Sequence, residues 1–398
     1  MKVGILTFHS QLNYGGVLQC WALQTALKGL GHEVVVLDRW MDEQNGLLEL
    51  GYKRWGCKEW LRFWARSLIG LGDVNRWIRA RRTKCFIRDN INRTPYHFVE
   101  WGNAPKNLSV DVLVVGSDQV WHCGDWNDPR VYLLENAPEI RAIAYAASFG
   151  MAELPRYLFD KGQDMLAEPV YRKGLAKFRA ISCRESEGVS ICKRMGLDAA
   201  HVVDPTLLVD GGEWRRLVGN HKRTKRLVCY FIGENANDHL PELKRYAKRN
   251  KCPVDVFINE SLTIGMPRNI NQIFELLGRL KDRVFGRVRV HDSAGPLEFV
   301  RAFASASDVI SDSFHALMFS IIFGANARML KPKDKIRTKM FSRIMEFSDH
   351  FDGCLVVENL SEALSSIGGG TVSYISQEWL DGRKKYSAEF LKSSLNIR

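Results

Sequence analysis

The hydrophobic and polar positions of the first 40 residues follow the order strand, loop, helix, strand. The apolar run KVGILTF leads into the turn-rich HSQLNYGG, and then into the amphipathic VLQCWALQTALKGLG and the apolar EVVVLD. A glycine after the helix, and a helix between two apolar strands, are typical of a βαβ unit whose strands pair in parallel. The start of the chain therefore predicts a parallel α/β sheet.

The same alternation returns in two later series. The first contains the strands DVLVVGSD, RAIAYAASFG and RAISCRE, a helical stretch around Phe159 to Lys177, and the helix SEGVSICKRMG. After the polar gap GNHKRTKR, the strands LVCYFIGE, PVDVFINE and DVISD alternate with the helices LPELKRYAKRN, GPLEFVRAFASA and SFHALMFSIIFG. The pattern predicts two doubly wound parallel-sheet domains facing a cleft. We expect them at residues 1–218 and 225–345, with a helical tail at 346–398 packed back on the first domain.

The composition narrows the class of protein. Apolar residues make up 45% of the 398 positions and charged residues 26%, which is typical of soluble globular proteins. The apolar start of the chain is too short for a signal peptide, so we expect the protein in the cytoplasm. The nine cysteines include no C-x-x-C pair, which argues against a disulfide framework and a zinc site. We expect neither a metal nor another cofactor.

The net charge of +12 is concentrated in a helical insert at about residues 50–95. Lys53 to Arg93 hold twelve Lys or Arg and three Asp or Glu. Aromatic residues are interleaved with these charges: Trp55, Trp60, Phe63, Trp64 and Trp77. Such a segment is either a solvated helix that covers the sheet or a helix that contacts an anionic membrane surface. Nucleic acid is the least favoured partner, because no recognition motif accompanies the charge.

Polar side chains stand where the predicted strands end. They are Asn13, Asp118, Ser148, Arg184 and His315. Because ligands of doubly wound folds bind beyond the carboxyl ends of the strands, we expect these side chains to converge. The loop NYGGVLQ lacks the spacing of a dinucleotide site and the end of a P-loop, so its glycines indicate a tight turn or a backbone that faces the cleft.

Each of these residues has a structural and a functional interpretation. Asp118 either caps the following turn or accepts a proton from a substrate hydroxyl. Trp121 beside it either stacks on a sugar or belongs to the core. Arg184 either pairs with a neighbouring carboxylate or binds an anion. His315, in the first turn of an apolar helix, is either a proton donor beside a bound anion or a residue satisfied by a neighbour.

Taken together, these segments resemble the polysaccharide pyruvyl transferase family. The shared segments occur in the family's order: NYGGVLQCWAL, VVGSDQVW, AASFG, ISCRE, VVDPTLLV, DSFHALMFSIIFG and SRIMEF. Ala316 stands where glycine is common in the family, and Gly16 where alanine is common. Neither change removes a functional group.

The resemblance implies two Rossmann-like domains arranged as in GT-B glycosyltransferases, with the acceptor on the first domain and the donor on the second. It implies transfer of a pyruvyl group from phosphoenolpyruvate to two hydroxyls of one sugar, which gives a cyclic ketal. The acceptor belongs to a surface polysaccharide or to its lipid-linked precursor. The basic insert would then hold the enzyme at the inner face of the cell membrane, near a polyprenyl-linked sugar.

The family's arginine falls on Arg184, its histidine on His315 and a downstream basic residue on Lys335. Phosphoenolpyruvate carries a carboxylate and a phosphate, so its site needs several cations and a helix N-terminus. We expect the donor to be bound by Arg184, Ser313, Phe314, His315, Lys335 and Arg337. We expect the acceptor to be bound by Asn13, Tyr14, Gly15, Asp118, Gln119 and Trp121.

We assign catalysis to His315 and Asp118. His315 either protonates the enol carbon of the donor or contacts its phosphate, and Asp118 orients or deprotonates an acceptor hydroxyl. Two alternatives stay open. A GT-B glycosyltransferase would use the same cations for a nucleotide sugar. A non-catalytic protein that binds a glycan or a lipid carrier would not need Arg184 and His315.

Overall fold

The computed structural model describes residues 1–10, 12–40, 73–124, 127–160, 163–219, 221–232, 236–258, 286–333, 341–348, 350–351, 354–368 and 377–396. The first half of the basic insert, including Trp55, Trp60, Phe63 and Trp64, lies outside these ranges, as do Lys335 and Arg337.

The N-terminal half forms a parallel sheet. Its strands, with one hairpin, are β1 (Lys2–Leu6), β2 (Glu33–Arg39), β3 (Arg93–Phe98), β4 (Val112–Val115), β5 (Ala142–Ala147), β6 (Tyr157–Asp160), β7 (Gln163–Leu166), β8 (Phe178–Cys183) and β9 (Ala200–His201). The sheet has seven strands in the order β3-β2-β1-β4-β5-β8-β9, and β6 pairs with β7 as a separate antiparallel hairpin. Every residue of β4 and β5 is buried, as expected for a parallel sheet covered on both faces.

Helices cover this sheet and lead to the second half. They are α1 (Tyr14–Gly29), α2 (Asp73–Asn90), α3 (Ala167–Leu175), α4 (Ser186–Arg194), α5 (Pro205–Leu208) and α6 (Gly211–Val218), with 3₁₀ turns at Trp101–Asn103 and Pro129–Val131. The helix α1 begins after Asn13, whose side-chain oxygen accepts a hydrogen bond from the Gly15 amide at 3.0 Å. This is the N-cap arrangement that satisfies a free amide of the first turn.

The C-terminal half forms a second parallel sheet. Its strands are β10 (Leu227–Phe231), β11 (Val254–Ile258), β12 (Val288–His291), β13 (Asp308–Ser311), β14 (Asn326–Leu330) and β15 (Cys354–Val357). Its helices, with the C-terminal ones, are α7 (Ala236–Asn250), α8 (Pro296–Ser305), α9 (Phe314–Phe323), α10 (Ser342–Ser348), α11 (Leu360–Ser365) and α12 (Gln377–Asn396). The six strands stand in the order β12-β11-β10-β13-β14-β15. The predicted fold class, two doubly wound parallel-sheet units, is confirmed.

Aromatic rings join the two halves in one continuous hydrophobic core, which we call the seam. Tyr14 on α1 stacks on Phe299 of α8, with ring centroids 4.5 Å apart and planes inclined by 16°. Trp214 on α6 packs edge-on against Phe319 of α9 at 5.0 Å. Because α1 is buried on nearly all sides, it acts as a shared layer between the two sheets.

The helix α2, the described part of the basic insert, bridges the two halves by hydrogen bonds. Arg79 donates to the carbonyl of Leu12 at 2.7 Å and to the carbonyl of Ile258 at 2.8 Å. Arg82 donates to the carbonyl of Ser293 at 3.0 Å. The C-terminal helix α12 lies against the N-terminal half, where the hydroxyl of Ser387 accepts from the Val203 amide at 2.9 Å.

One predicted element is wrong. The stretch from Phe159 to Lys177 was expected to be helical throughout, but the structure has the hairpin β6–β7 before the helix α3. The strands pair from Tyr157 with Leu166 to Asp160 with Gln163, and this antiparallel pairing takes the place of the expected helix. The strands β3, β12, β14 and β15 were not predicted.

Candidate active site

Side chains of the N-terminal half meet beyond the carboxyl ends of its strands. Asp118 follows β4, Arg184 follows β8, and Asp204 follows β9. All three side chains are buried. The guanidinium of Arg184 lies 3.3 Å from the Oδ1 atom of Asp118 and 3.4 Å from the Oδ2 atom of Asp204. Its Nε atom lies 3.5 Å from a carboxylate oxygen of Glu185. One cation is therefore surrounded by three carboxyl groups.

Asp118 has a backbone conformation that is rare for a residue with a side chain. Its φ is +70°, and its carbonyl accepts the amide of Ser148 at 2.9 Å. Gly116, two residues earlier, has a φ of +109°, and a Cβ atom there would lie 2.4 Å from the carbonyl oxygen of Tyr145. Non-glycine residues held at positive φ are enriched at functional sites. The turn at Gly116 to Asp118 thus fixes the Asp118 carboxylate at the strand end.

Asp204 connects the N-terminal half to the C-terminal half. Its Oδ1 atom caps α5 by accepting from the amide and the hydroxyl of Thr206, at 3.0 and 2.8 Å. Its Oδ2 atom accepts from the Ser117 hydroxyl at 3.2 Å and lies 3.8 Å from the Nε2 atom of His315. Asp204 was not among the predicted site residues, because an aspartate before a proline reads as an ordinary helix cap.

His315 enters the site from the second half. It is the second residue of α9, which starts just after β13, and only 9% of its surface is exposed. Its ring lies against Gly15 in the first turn of α1, where a Cβ atom would approach the His315 Nδ1 atom to 2.2 Å. Gly15 was predicted to bind the acceptor, and the structure shows that its missing side chain makes room for this imidazole.

Two guanidinium groups pack against the ring of Phe314. The Cζ atom of Arg184 lies 5.0 Å from the ring centroid, and that of Arg343 lies 5.3 Å from it. Both distances fall within the range of cation–π contacts. Arg343 stands on α10, in the segment SRIMEF that resembles a late family motif, and it was not a predicted site residue. Only the folded chain shows that it reaches the site.

Buried polar atoms without a hydrogen-bond partner collect around this point. In the described structure they are Asp118 Oδ2, Arg184 Nε, Glu185 Oε2, His315 Nε2, and Nε and Nη1 of Arg343. Each such atom costs about 1–3 kcal/mol when it is left unpaired, so native proteins rarely group them without a function. Their concentration between the two sheets identifies this place as the candidate active site.

Burial and neighbouring charges shift the pKa values of the site residues that belong to the N-terminal half. Burial alone would lower the pKa of Arg184, but Asp118, Glu185 and Asp204 outweigh it and raise that pKa. Burial would raise the pKa of Asp204, but His315, Arg184 and the bonds from Thr206 bring it below the usual value. Burial raises the pKa of Glu185, against the opposing effect of Arg184. The Arg184–Asp204 pair is therefore ionised.

The groups from the second half have lowered pKa values. Burial is the main cause of the lowered pKa of His315, which Asp204 and Asp118 partly offset. The imidazole is therefore neutral near pH 7 in the free protein. Burial, followed by repulsion from Arg184, lowers the pKa of Arg343 to about 10, so this side chain remains charged near neutral pH.

Two predicted acceptor-binding residues do not fit the structure. Trp121 is fully buried among core rings, including Phe149 at 5.1 Å, so it presents no face on which a sugar could stack. Tyr14 is buried in the seam, and its hydroxyl donates to the carbonyl of Ala294 at 3.0 Å. Both residues stand among apolar neighbours in the sequence, and both are buried in the hydrophobic core of the folded protein. Asn13 caps α1 at the edge of the site.

The remaining predicted residues lie close to the site or outside the described chain. Gln119 follows Asp118, and its amide donates to the Oδ1 atom of that residue at 2.9 Å. Ser313 is the buried N-cap residue of α9, and its amide donates to the Ser311 hydroxyl at 3.0 Å. The structure thus groups Arg184, Phe314, His315 and Asp118. Lys335 and Arg337 stay predictions.

Neither a metal cluster nor a membrane-spanning helix is found among the described residues. No group of three or more His, Cys, Asp or Glu side chains there is arranged to hold a metal ion. Among the same residues, no helix combines the length and the apolar character needed to cross a bilayer.

Solved structures with a similar fold cover almost the whole chain. The UDP-GlcNAc 2-epimerase from Neisseria meningitidis bound to UDP-GlcNAc aligns with a TM-score of 0.50 at 9% identity, over 99% of each chain. The UDP-GlcNAc 2-epimerase from Methanocaldococcus jannaschii aligns with a TM-score of 0.46 at 12% identity, over 94% of this chain and 93% of that one. At such identities a likeness concerns the fold alone, and the match to the Neisseria enzyme supports the GT-B-like arrangement of two parallel-sheet domains.

The sequence profile of polysaccharide pyruvyl transferases matches residues 13–334. No curated protein matches the chain. The matched region runs from the cap of α1 to the segment after β14, and it contains Asp118, Arg184, Asp204 and His315. With this match over most of its length, and with these residues gathered at one site, the chain belongs to the polysaccharide pyruvyl transferase family.

Proposed function

We propose that this protein transfers the pyruvyl group of phosphoenolpyruvate to two hydroxyls of one sugar in a surface polysaccharide or its lipid-linked precursor. The products are a cyclic ketal and inorganic phosphate. The observation that carries the proposal is the pairing of His315 with Asp204 across the two halves, beside the buried guanidinium of Arg184. Family membership supports the same chemistry.

His315 is the residue that we assign to protonation of the donor. Protonation of the CH₂ carbon of phosphoenolpyruvate makes the neighbouring carbon electrophilic, and an acceptor hydroxyl then bonds to that carbon. A neutral imidazole must first gain a proton, and the carboxylate of Asp204 at 3.8 Å favours the imidazolium that forms. Histidine is suited to this role because its pKa lies near neutrality.

Asp118 is the residue that we assign to the acceptor. Its Oδ2 atom has no hydrogen-bond partner in the described structure, while its Oδ1 atom is held by Gln119 and Arg184. The free oxygen accepts the proton of the attacking hydroxyl. The C–O bond to phosphate then breaks, and phosphate leaves with the proton taken up by Asp118. The second hydroxyl bonds to the same carbon and returns its proton to the neutral imidazole of His315, which closes the ketal. Contact of the basic insert with an anionic membrane would bring a polyprenyl-linked acceptor to this site.

The test is release of inorganic phosphate from phosphoenolpyruvate with a panel of sugars carrying neighbouring hydroxyls. We expect the wild-type protein to release phosphate and to produce a ketal methyl signal in the proton NMR spectrum. The variant His315→Ala should lose about 10²-fold or more of this rate, the usual contribution of a general acid.

The matched control is His97→Ala, because His97 is exposed on β3, at the edge of the first sheet. That variant should keep the wild-type rate. A His315→Ala variant with undiminished phosphate release would exclude the catalytic assignment. Release of a nucleoside diphosphate from a nucleotide sugar, with no turnover of phosphoenolpyruvate, would replace the proposal with a glycosyltransferase.

A further inference from the structure

Arg343 is a cation at the site with two unpaired nitrogen atoms in the described structure. Its Nε and Nη1 atoms are buried and have no hydrogen-bond acceptor in the described structure. Arg184, by contrast, is already surrounded by Asp118, Glu185 and Asp204. Of the two guanidinium groups at the Phe314 ring, Arg343 thus has two unpaired nitrogen atoms, against the single unpaired Nε atom of Arg184.

Two unpaired N–H groups of a half-buried cation cost free energy, and the nearby carboxylates of Glu185, Asp118 and Asp204 offset only part of that cost. Burial also lowers the pKa of Arg343, to about 10. The contact with the Phe314 ring, 5.3 Å from the guanidinium carbon, offsets part of this cost but satisfies none of the N–H groups. A role in holding the fold together does not explain these observations.

The charge balance of the site requires another cation for the donor. Asp118, Glu185 and Asp204 face Arg184 in the described part of the site, so Arg184 alone leaves no excess of positive charge for a donor that carries both a carboxylate and a phosphate. The planar fork of an arginine fits a carboxylate through two parallel hydrogen bonds. The first turn of α9 offers its N-terminal end to the phosphate.

We propose that Arg343 binds the carboxylate of the three-carbon donor and thereby selects a carboxylated donor over a plain phosphate ester. This inference rests on the proposed function and adds the residue that binds the carboxylate of the donor. The ring of Phe314 contacts both guanidinium groups, with Cζ atoms 5.0 Å (Arg184) and 5.3 Å (Arg343) from its centroid.

The experiment compares two stable ligands that differ only at the carboxylate. They are 2-phospholactate and isopropyl phosphate, in which a methyl group replaces the carboxylate. Calorimetric titration of the full-length protein gives both dissociation constants. We expect Arg343→Met to weaken binding of 2-phospholactate about 10- to 100-fold, the range of charge-assisted hydrogen bonds, and to leave isopropyl phosphate unchanged. Arg343→Lys, which keeps the charge without the fork, should restore part of the loss.

Stability separates this role from a structural one. Because Arg343→Met removes a half-buried charge whose Nε and Nη1 atoms are unpaired, its unfolding midpoint should equal or exceed that of the wild type, whereas loss of a structural arginine would lower it. Arg172→Met is the matched control, because Arg172 is exposed on α3 and paired with Glu168. It should bind both ligands as the wild type does.

Equal binding of 2-phospholactate by wild type and Arg343→Met overturns the inference while the proposed function stands. An equal loss of affinity for both ligands also overturns the inference, because Arg343 would then bind the phosphate and not the carboxylate. A wild-type protein that binds neither ligand and releases no phosphate from phosphoenolpyruvate overturns the proposed function, and this inference falls with it.

Discussion

At the scale of single residues, the protonation of His315 depends on the charges around it. In the free protein its pKa is lowered, mainly by burial. A donor with an anionic carboxylate and an anionic phosphate beside the ring would favour the imidazolium and raise that pKa. At a pH between the two values, the complex therefore holds more protons than the free protein, and donor binding strengthens as the pH falls through this range.

Calorimetric titration with 2-phospholactate in two buffers of different ionisation enthalpy measures this linkage. We expect uptake of up to about one proton per donor bound by the wild type. The same titration of His315→Gln measures the number of protons exchanged without the imidazole. The difference between the two proteins in protons taken up per ligand bound is the contribution of His315. A difference of zero would mean that the imidazole keeps its protonation state when the donor binds.

The residues that sequence patterns identify at this site are those whose local signal is unusual. Arg184 at the end of a buried strand and His315 at the start of an apolar helix both stand out from their surroundings. Asp204 does not, because capping α5 already explains it. Arg343 does not, because an arginine on a short polar helix reads as solvated. Its contact with Phe314 exists only after α10 has packed against α9.

At the scale of secondary-structure elements, the first turns of α1 and α9 determine the site. Gly15→Ala would place a methyl group within 2.2 Å of the His315 Nδ1 atom. Alanine favours a helix by up to about 1 kcal/mol, but forcing atoms together costs about 1–3 kcal/mol. The imidazole must shift, and we expect phosphate release to fall about 10²-fold, with little change in the unfolding midpoint.

The control for this prediction lies at the other end of the same helix. A Cβ atom on Gly29 would meet no atom within 4 Å, so Gly29→Ala should keep both rate and stability. Full activity of Gly15→Ala would show that the contact between α1 and α9 does not position His315.

The element that sequence patterns misplaced shows the limit of local information. Helix and strand propensities are similar over Tyr157 to Leu166, and the antiparallel pairing of β6 with β7 decides between them. The buried central strands were recognised because continuous apolar runs such as VLVV of β4 leave little ambiguity. Edge strands such as β3 have a mixed burial pattern, and their partner supplies the missing signal.

At the scale of the whole molecule, Arg79 holds the two halves at a fixed distance. It donates to a carbonyl of each half, Leu12 and Ile258, and its guanidinium lies 4.4 Å from the ring of Tyr14. Arg79→Met leaves these two carbonyls without this donor. We expect a loss of about 2–4 kcal/mol in the free energy of unfolding, measured with urea.

Arg81→Met tests whether any arginine of α2 would have this effect. Arg81 is exposed, and its guanidinium lies 5.5 Å from the ring of Trp77. A change within about 0.5 kcal/mol is expected, as for most surface substitutions. Equal destabilisation by the two substitutions would contradict the bridging role of Arg79.

The stacked rings of Tyr14 and Phe299 have a consequence for protein engineering. Chimaeras of two-domain enzymes are usually made by exchanging one domain between homologues, on the assumption that the domains behave as modules. Here α1 belongs to one domain by sequence and to both by contact. A chimaera that inherits its second domain from a homologue keeps a well-packed junction only if α1 and the rings of α8 are transplanted together.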